Sequence, residues 1–87
     1  MKKNIDPFLY NIHELDIHGY DRLGAEAMIK NFIDNEMRIG SKQISIVHGR
    51  GTGVLKKATH DYLKKDKRVL NYKLNIFNEG QTIVTLK

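Results

Sequence analysis

The sequence predicts an α/β fold: a two-layer βαβαββ sandwich, a four-stranded mixed sheet with two helices on one face. Three observations predict it. Two segments with apolar residues three and four apart are interleaved with two short strand-like segments. Two more strand-like segments close the chain, with turn residues between them. The strands alternate apolar with polar instead of running continuously apolar, so one sheet face takes the helices and the other is open to water. The 87 residues suit one such unit, because a chain this short buries only about 60% of its unfolded surface.

Residues 1–13 contain Ile5, Phe8, Leu9, Tyr10 and Ile12 without clear periodicity. They are expected to form an arm on the domain, or on another copy of it, with the domain itself spanning 14–87. The segment His13-Glu14-Leu15-Asp16-Ile17-His18 alternates with period two and stops at Gly19, as a strand does. Asp21 is a good helix N-cap, and Leu23 to Ile39 follows with Ala25, Met28, Ile29, Phe32, Ile33 and Met37 on one stripe. Gly40 is its natural stop. Gln43–Val47 reads as the second strand, and His48-Gly49-Arg50-Gly51-Thr52-Gly53 as a loop. Val54 to Lys65 reads as the second helix, with Leu55, Ala58, Tyr62 and Leu63 inward. Tyr72–Phe77 and Thr82–Leu86 are the last strands, joined by a turn at Asn78-Glu79-Gly80-Gln81.

Composition excludes several function classes. Hydrophobic residues make up 40%, charged residues 29%, and there is one proline, an ordinary soluble composition. The absence of cysteine rules out disulfides, a thiolate nucleophile and sulfur-ligated zinc. No apolar run approaches the roughly 18 residues of a membrane span, so no membrane partner is expected. The basic N-terminus has no hydrophobic signal core after it, which makes the cytoplasm the default compartment.

The formal charge of +5 is concentrated. Between Arg50 and Arg68 stand seven basic residues (Arg50, Lys56, Lys57, Lys64, Lys65, Lys67, Arg68) against Asp61 and Asp66, while the rest of the chain balances. A lysine run alone is as readily a solvated helix face. Beside a glycine loop it points instead to a polyanion partner, with phosphate contacts supplying salt-sensitive affinity.

The βαβ crossover makes the first two strands parallel, so their C-terminal ends share one sheet edge. That edge receives His18-Gly19 and His48-Gly49, with Asp16 on the same strand face as His18. Open α/β sheets bind ligands at such edges. Gly49, Gly51 and Gly53 let backbone approach a ligand, and the following helix N-terminus favours phosphate. Arg50 adds a mobile charge and Thr52 a hydroxyl. The spacing fits neither GxGxxG nor a Walker A loop, so the loop is a generic phosphate cradle. His13 reads as a surface residue without a partner, and His60 as an added charge on the basic helix. His18 or His48 alone is more often structural than catalytic. Together with Asp16 they would supply the base, acid and donors that phosphodiester cleavage needs. A metal reading uses the same atoms and is under-liganded, with Glu79 the one further carboxylate to consider, so no metal ligand is assigned.

Leu15-Asp16-Ile17-His18-Gly19, followed some thirty residues later by His48-Gly49-Arg50-Gly51-Thr52-Gly53, resembles the Smr (small MutS-related) domain family, whose signatures are LDLHG and HGxGxG. The likeness covers about residues 14–87. Ile17 stands in place of a leucine, and Gly24-Ala25 where Glu-Ala is usual. In the family's third segment, a GGxGAT-type turn, Phe77 and Asn78 take the places of the first two glycines and Gln81 that of alanine. The resemblance implies the fold of the C-terminal domain of bacterial translation initiation factor three. It also implies nucleic-acid cleavage, either DNA nicking or cutting of messenger RNA on stalled ribosomes. A chain of this length has no room for a MutS-type ATPase, which implies a stand-alone or excised domain. Asp16 and His18 match the first motif; His48, Gly49, Gly51 and Gly53 match the second.

The expectation is thus an endonuclease acting on DNA or RNA. His18 and His48 share acid and base duties and Asp16 orients an imidazole. Gly49, Arg50, Gly51, Thr52 and Gly53 hold a phosphate, and Lys56, Lys57, Lys64, Lys65 and Arg68 draw in the backbone. No cofactor is required for RNA; a DNA substrate calls for activated water and a divalent cation, Mg or Mn. The alternatives are a non-catalytic module binding nucleic acid or the ribosome, and an enzyme acting on a small nucleotide.

Overall fold

The computed structural model describes residues 12–87 and contains six elements: β1 (His13–Asp16), α1 (Arg22–Arg38), β2 (Gln43–Val47), α2 (Val54–Lys65), β3 (Val69–Asn75) and β4 (Asn78–Leu86). The sheet order is β1-β2-β4-β3. β1 and β2 are parallel, and β4 is antiparallel to both its neighbours. This is the expected α/β architecture. The arm expected over 1–13 lies, up to residue 11, outside the described residues. No helix among the described residues is long and apolar enough to cross a membrane.

Register explains the core. Leu15 pairs with Ile46, Ile44 with Val84, and Ile46 with Thr82, so one row of the sheet points toward the helices. Ala25, Ile29 and Ile33, four residues apart on α1, meet it and are fully buried with Ile17, Ile44, Ile46 and Val84. Each buried isoleucine is worth about 1.5–3 kcal/mol. α1 starts where Asp21 accepts a hydrogen bond from the Gly24 amide at 2.7 Å. The opposite sheet face bears a polar ladder: Asn75 donates to Gln81, and Gln81 to Ser45 and Glu14. It is less open than expected, since Ser45 and Ile83 on that face are buried.

Three boundaries differ from expectation. β1 stops at Asp16, because the Asp16 carboxylate accepts from the His18 amide and turns the chain two residues early. β3 starts at Val69 and its hairpin turns at Ile76-Phe77. The turn-like Asn78-Glu79-Gly80-Gln81 belongs to β4, where the register jumps from Leu74↔Thr82 to Asn75↔Asn78. Its turn chemistry is spent within the strand, with the Asn78 side chain accepting from the Gly80 amide at 2.9 Å.

His13 is not partnerless. Its Nδ1 bonds the buried Glu36 carboxylate at 2.9 Å, and Ser41 Oγ donates to the same carboxylate at 2.6 Å. Arg68 is likewise committed. Its guanidinium pairs with both Asp66 oxygens, at 3.0 and 2.8 Å, and with Asp34 on α1. Tyr62 donates to Asp66 as well, at 2.8 Å. The Arg68 hydrogen bonds hold Asp66 down at about 2, and burial, with Asp66 beside it, pushes Tyr62 up to about 12. This cluster ties the end of α2 to α1. Arg68→Gln should lower the free energy of unfolding by about 2 kcal/mol, the scale of hydrogen bonds to charged groups, in urea titrations. Arg68→Lys should recover little, because an ammonium cannot fork across two carboxylates.

Candidate functional site

Parallel pairing of β1 with β2 brings their C-terminal ends to one edge, where residues 16–19 and 48–53 face each other. The Asp16 carboxylate there is a local organiser. One oxygen accepts from the His18 amide at 3.0 Å and from His18 Nδ1–H at 2.6 Å. These bonds, the side-chain one first, hold Asp16 below the usual carboxylate range. The proton on Nδ1 leaves Nε2 as the basic nitrogen of a neutral ring. His18 is 72% exposed at its side chain, and Nε2 has no protein partner among the described residues. It can take or give a proton.

Opposite His18 lies the glycine loop. Gly49 has φ +83°, and a Cβ there would stand 3.5 Å from His18 Cβ, so the loop packs directly on that histidine. Gly80 on β4 anchors the loop from below: its carbonyl accepts from the His48 and Gly49 amides at 2.8 and 3.0 Å. A Cβ on Gly80 would come within 3.2 Å of Gly49 backbone. A cavity of about 340 Å³ opens between His18, the loop 49–53 and Lys56. The Thr52 hydroxyl accepts from the Val54 amide at 3.3 Å, and α2 begins with no side-chain cap from Gly53. Amides of its first turn are therefore left for an anion.

His48 also lines this cavity, with its ring held by hydrogen bonds within the protein. It is buried at 4% exposure and both ring nitrogens are bonded. Nδ1 lies 3.0 Å from the Gly49 carbonyl, which can only accept, so Nδ1 carries the proton. Burial pushes the ring's pKa down and keeps it neutral. Nε2 therefore accepts from the Thr82 hydroxyl at 2.8 Å, and that hydroxyl oxygen accepts in turn from His60 Nε2–H, also at 2.8 Å. His60 lies against Tyr72, with ring centroids 4.9 Å apart, and burial, then the neighbouring His48, lowers its pKa as well. It is a link in a half-buried chain rather than an added charge. The structure thus gives His48 a different setting from His18: both of its ring nitrogens are bonded within the protein, whereas one nitrogen of His18 is free of protein partners among the described residues.

The basic residues also divide. Arg50 and Lys56 line the cavity. Lys57 reaches Asp61, which also binds Arg22, both at 3.2 Å. Lys64 and Lys65 close α2, about 15 Å along the helix axis from its start. Arg68 stands in its aspartate cluster, away from the loop. Thr82 and Gly80 fall in the stretch that resembles the family's third segment, but the sequence reading gives neither a role at the site. The signal for Thr82 was a hydroxyl in the inward phase of an otherwise apolar strand, Thr82-Val84-Leu86. Among the described residues, no three or more metal-ligating side chains gather.

Residues 15–87 match the family model described as the Smr domain. The chain is 37% identical over 73 residues to a protein of Clostridium tetani named Endonuclease MutS2, covering 84% of this chain and 9% of that protein. A Thermotoga petrophila protein of the same name is 41% identical over 73 residues, with 84% and 10% covered. The chain thus spans about a tenth of the length of these relatives. Among solved structures, the Smr domain of Thermus thermophilus MutS2 superposes with a TM-score of 0.85 at 26% identity, covering 87% of this chain and 99% of that one. YdaL, a stand-alone small MutS-related protein from Escherichia coli, shares the fold at a TM-score of 0.82 and 17% identity, with 88% and 69% covered.

The buried histidine chain has a pH consequence. Both rings have depressed values in the folded state, so below about pH 6.5 the unfolded chain binds protons that the folded chain refuses. Their contribution to stability is whole above that pH and is lost as pH falls through it. Urea midpoints should drop between pH 7.5 and pH 5, and a variant carrying His48→Gln and His60→Gln should show a flatter profile over that window.

Proposed function

The chain belongs to the Smr domain family, and from that premise we propose that it is a phosphodiester-cleaving endonuclease domain acting on RNA. One observation carries the reading: an Asp16-oriented imidazole, His18, lines a cavity of about 340 Å³ bordered by the glycine loop, with one ring nitrogen free of protein partners among the described residues. The relatives' name, Endonuclease MutS2, supports cleavage as the reaction class.

The chemistry follows from what can reach the substrate. The loop amides, Arg50 and Lys56 receive a phosphate of the chain and the charge that grows on it during attack. His18 Nε2 removes the proton of the adjacent 2′-hydroxyl, and that oxygen bonds to phosphorus. The bond from phosphorus to the 5′-oxygen breaks, and the departing oxygen takes a proton from solvent. The imidazolium then returns its proton to water. A 2′,3′-cyclic phosphate and a 5′-hydroxyl result. Asp16 keeps the reactive tautomer and stabilises the imidazolium, while His48 and Thr82 hold the loop in register. RNA is favoured over DNA because the nucleophile comes with the substrate, so one accessible imidazole suffices. DNA nicking would require an activated water and a divalent cation with Asp16 among its ligands.

The buried state of His48 favours a second reading, a module that binds nucleic acid without cutting it. Replacement of the free imidazole separates the two. His18→Ala should reduce RNA cleavage by about 10²–10⁴-fold, the usual weight of general acid–base catalysis, while affinity changes little. End-group analysis should find the cyclic phosphate with or without chelator. A parent chain that binds RNA tightly and cuts neither RNA nor plasmid DNA, with magnesium or manganese present, decides for the binding module. Arg50→Ala and Lys56→Ala should each lessen the slope of log affinity against log salt by about 0.7, the value for one single-strand phosphate contact. Arg68→Gln should leave that slope unchanged.

A further inference from the structure

The β3–β4 hairpin ends in two apolar side chains that nothing in the fold requires. Ile76 is 85% exposed and Phe77 86% exposed. Two-residue hairpin turns favour Asn, Asp and Gly, and at this turn neither residue has positive φ. An isoleucine and a phenylalanine are therefore not there for the turn's sake. The tip is nevertheless held firmly. The Asn75 side chain accepts from the Phe77 amide at 2.9 Å and donates to Gln81 at 2.6 Å. Asn78 accepts from the Gly80 amide at 2.9 Å just beyond the turn.

Topology says where this tip sits. β4 is antiparallel to both β2 and β3, so β2 and β3 run the same way and end at the same sheet edge. They flank β4, which puts their ends two strand spacings, about 10 Å, apart. Gly80, three residues after Phe77, binds the His48 and Gly49 amides. Three Cα steps of 3.8 Å limit Phe77 to about 11 Å from that anchor. A solvent-facing aromatic thus stands within about 11 Å of the residue that anchors the start of the loop, while the end of β1 that carries His18 lies three strand spacings, about 14 Å, from the end of β3.

We propose that Phe77, with Ile76 beside it, is a stacking platform for an unpaired base near the phosphate held by the glycine loop. The inference rests on the nucleic-acid reading above and adds a preference for single-stranded segments. An aromatic face accepts any base, and a cationic groove next to it holds the backbone, the pairing that single-strand binding requires. Two side chains fall far short of the roughly 800 Å² per partner of a stable protein interface.

The test uses the full chain and short oligonucleotides of RNA and of DNA, single-stranded and duplex, with 2-aminopurine placed at successive positions. Fluorescence should be quenched most at one position in the single strands, and Phe77→Ala should abolish that maximum and weaken single-strand binding about tenfold. Phe77→Trp should retain both, and duplex affinity should not respond to either change. Thermal melts should match the parent, since the side chain is exposed. Repeating the binding series on His18→Ala separates the platform from the chemistry. Phe77-dependent quenching in a parent chain that cuts neither RNA nor DNA upholds the platform and ends the cleavage proposal, whereas the same quenching kept in His18→Ala upholds the platform and leaves the cleavage proposal standing. Normal cutting with the same quenching and affinity in Phe77→Ala ends the platform alone. Failure to bind any oligonucleotide overturns both. A difference between the RNA and DNA arms in affinity, with the same quenching pattern, upholds the platform and assigns the difference to sugar contacts.

Discussion

Everything at the site depends on one carbonyl. Gly80 accepts hydrogen bonds from two successive amides, those of His48 and Gly49, and thereby fastens the start of the glycine loop to the middle of the sheet. A loop containing three glycines between residues 49 and 53 would otherwise sample many backbone states, and ordering it would cost about 1–2 kcal/mol per residue. The fastening is local and backbone-borne, which explains why a side chain at Gly80 has so little room. It also sends the His48 ring inward, where Thr82 and His60 complete its hydrogen bonds. The fastening of the loop and the internal bonding of the His48 ring have the same origin.

The fold was legible because its signals are periodic. The α1 stripe, the Asp21 cap and the span of β2 follow from spacing and from one residue's capping chemistry, and the structure agrees to within a residue. The hairpin differs from expectation because the turn residues Asn78-Glu79-Gly80-Gln81 lie within β4 and the reversal falls at Ile76-Phe77. A carbonyl pointing sideways into another strand's loop demands the same freedom, and no local pattern distinguishes the two uses. The pairing of Asp16 with His18 was visible from a spacing of two on a strand, although it arises from a side-chain turn rather than from shared strand geometry. The depth of His48 was not visible. It is set by Thr82 and His60, which are 34 and 12 residues away in the chain.

Charge shows a similar gap between composition and place. The basic stretch from Arg50 to Arg68 looked like one surface because it is contiguous in sequence. In space α2 spreads it over more than a dozen ångströms, and carboxylates take up part of it: Asp61 faces Lys57, while Asp34 and Asp66 enclose Arg68. What remains at the cavity is Arg50 and Lys56. The distal Lys64 and Lys65 carry no such pairing among the described residues, and under the proposed function they would attract a polyanion at longer range without locating any one phosphate. Net charge thus speaks to encounter, and the loop to position.

Under the proposed cleavage, a single accessible imidazole at this edge also constrains the substrate. With two free histidines a site can supply base and acid together and accept a nucleophile from anywhere. With one, the economical substrate brings its own nucleophile already beside the phosphorus, as RNA does. Proximity then takes over part of what a second catalytic group would contribute, because an adjacent hydroxyl behaves as if present at very high local concentration. That gain is realised only when the backbone can swing the 2′-oxygen into line with the leaving oxygen, which a stacked helix resists and a single strand allows. On the proposed RNA reading, selection for an unpaired segment would be part of the chemistry, and the hairpin tip, within about 11 Å of the Gly80 anchor, is where such a segment would be met.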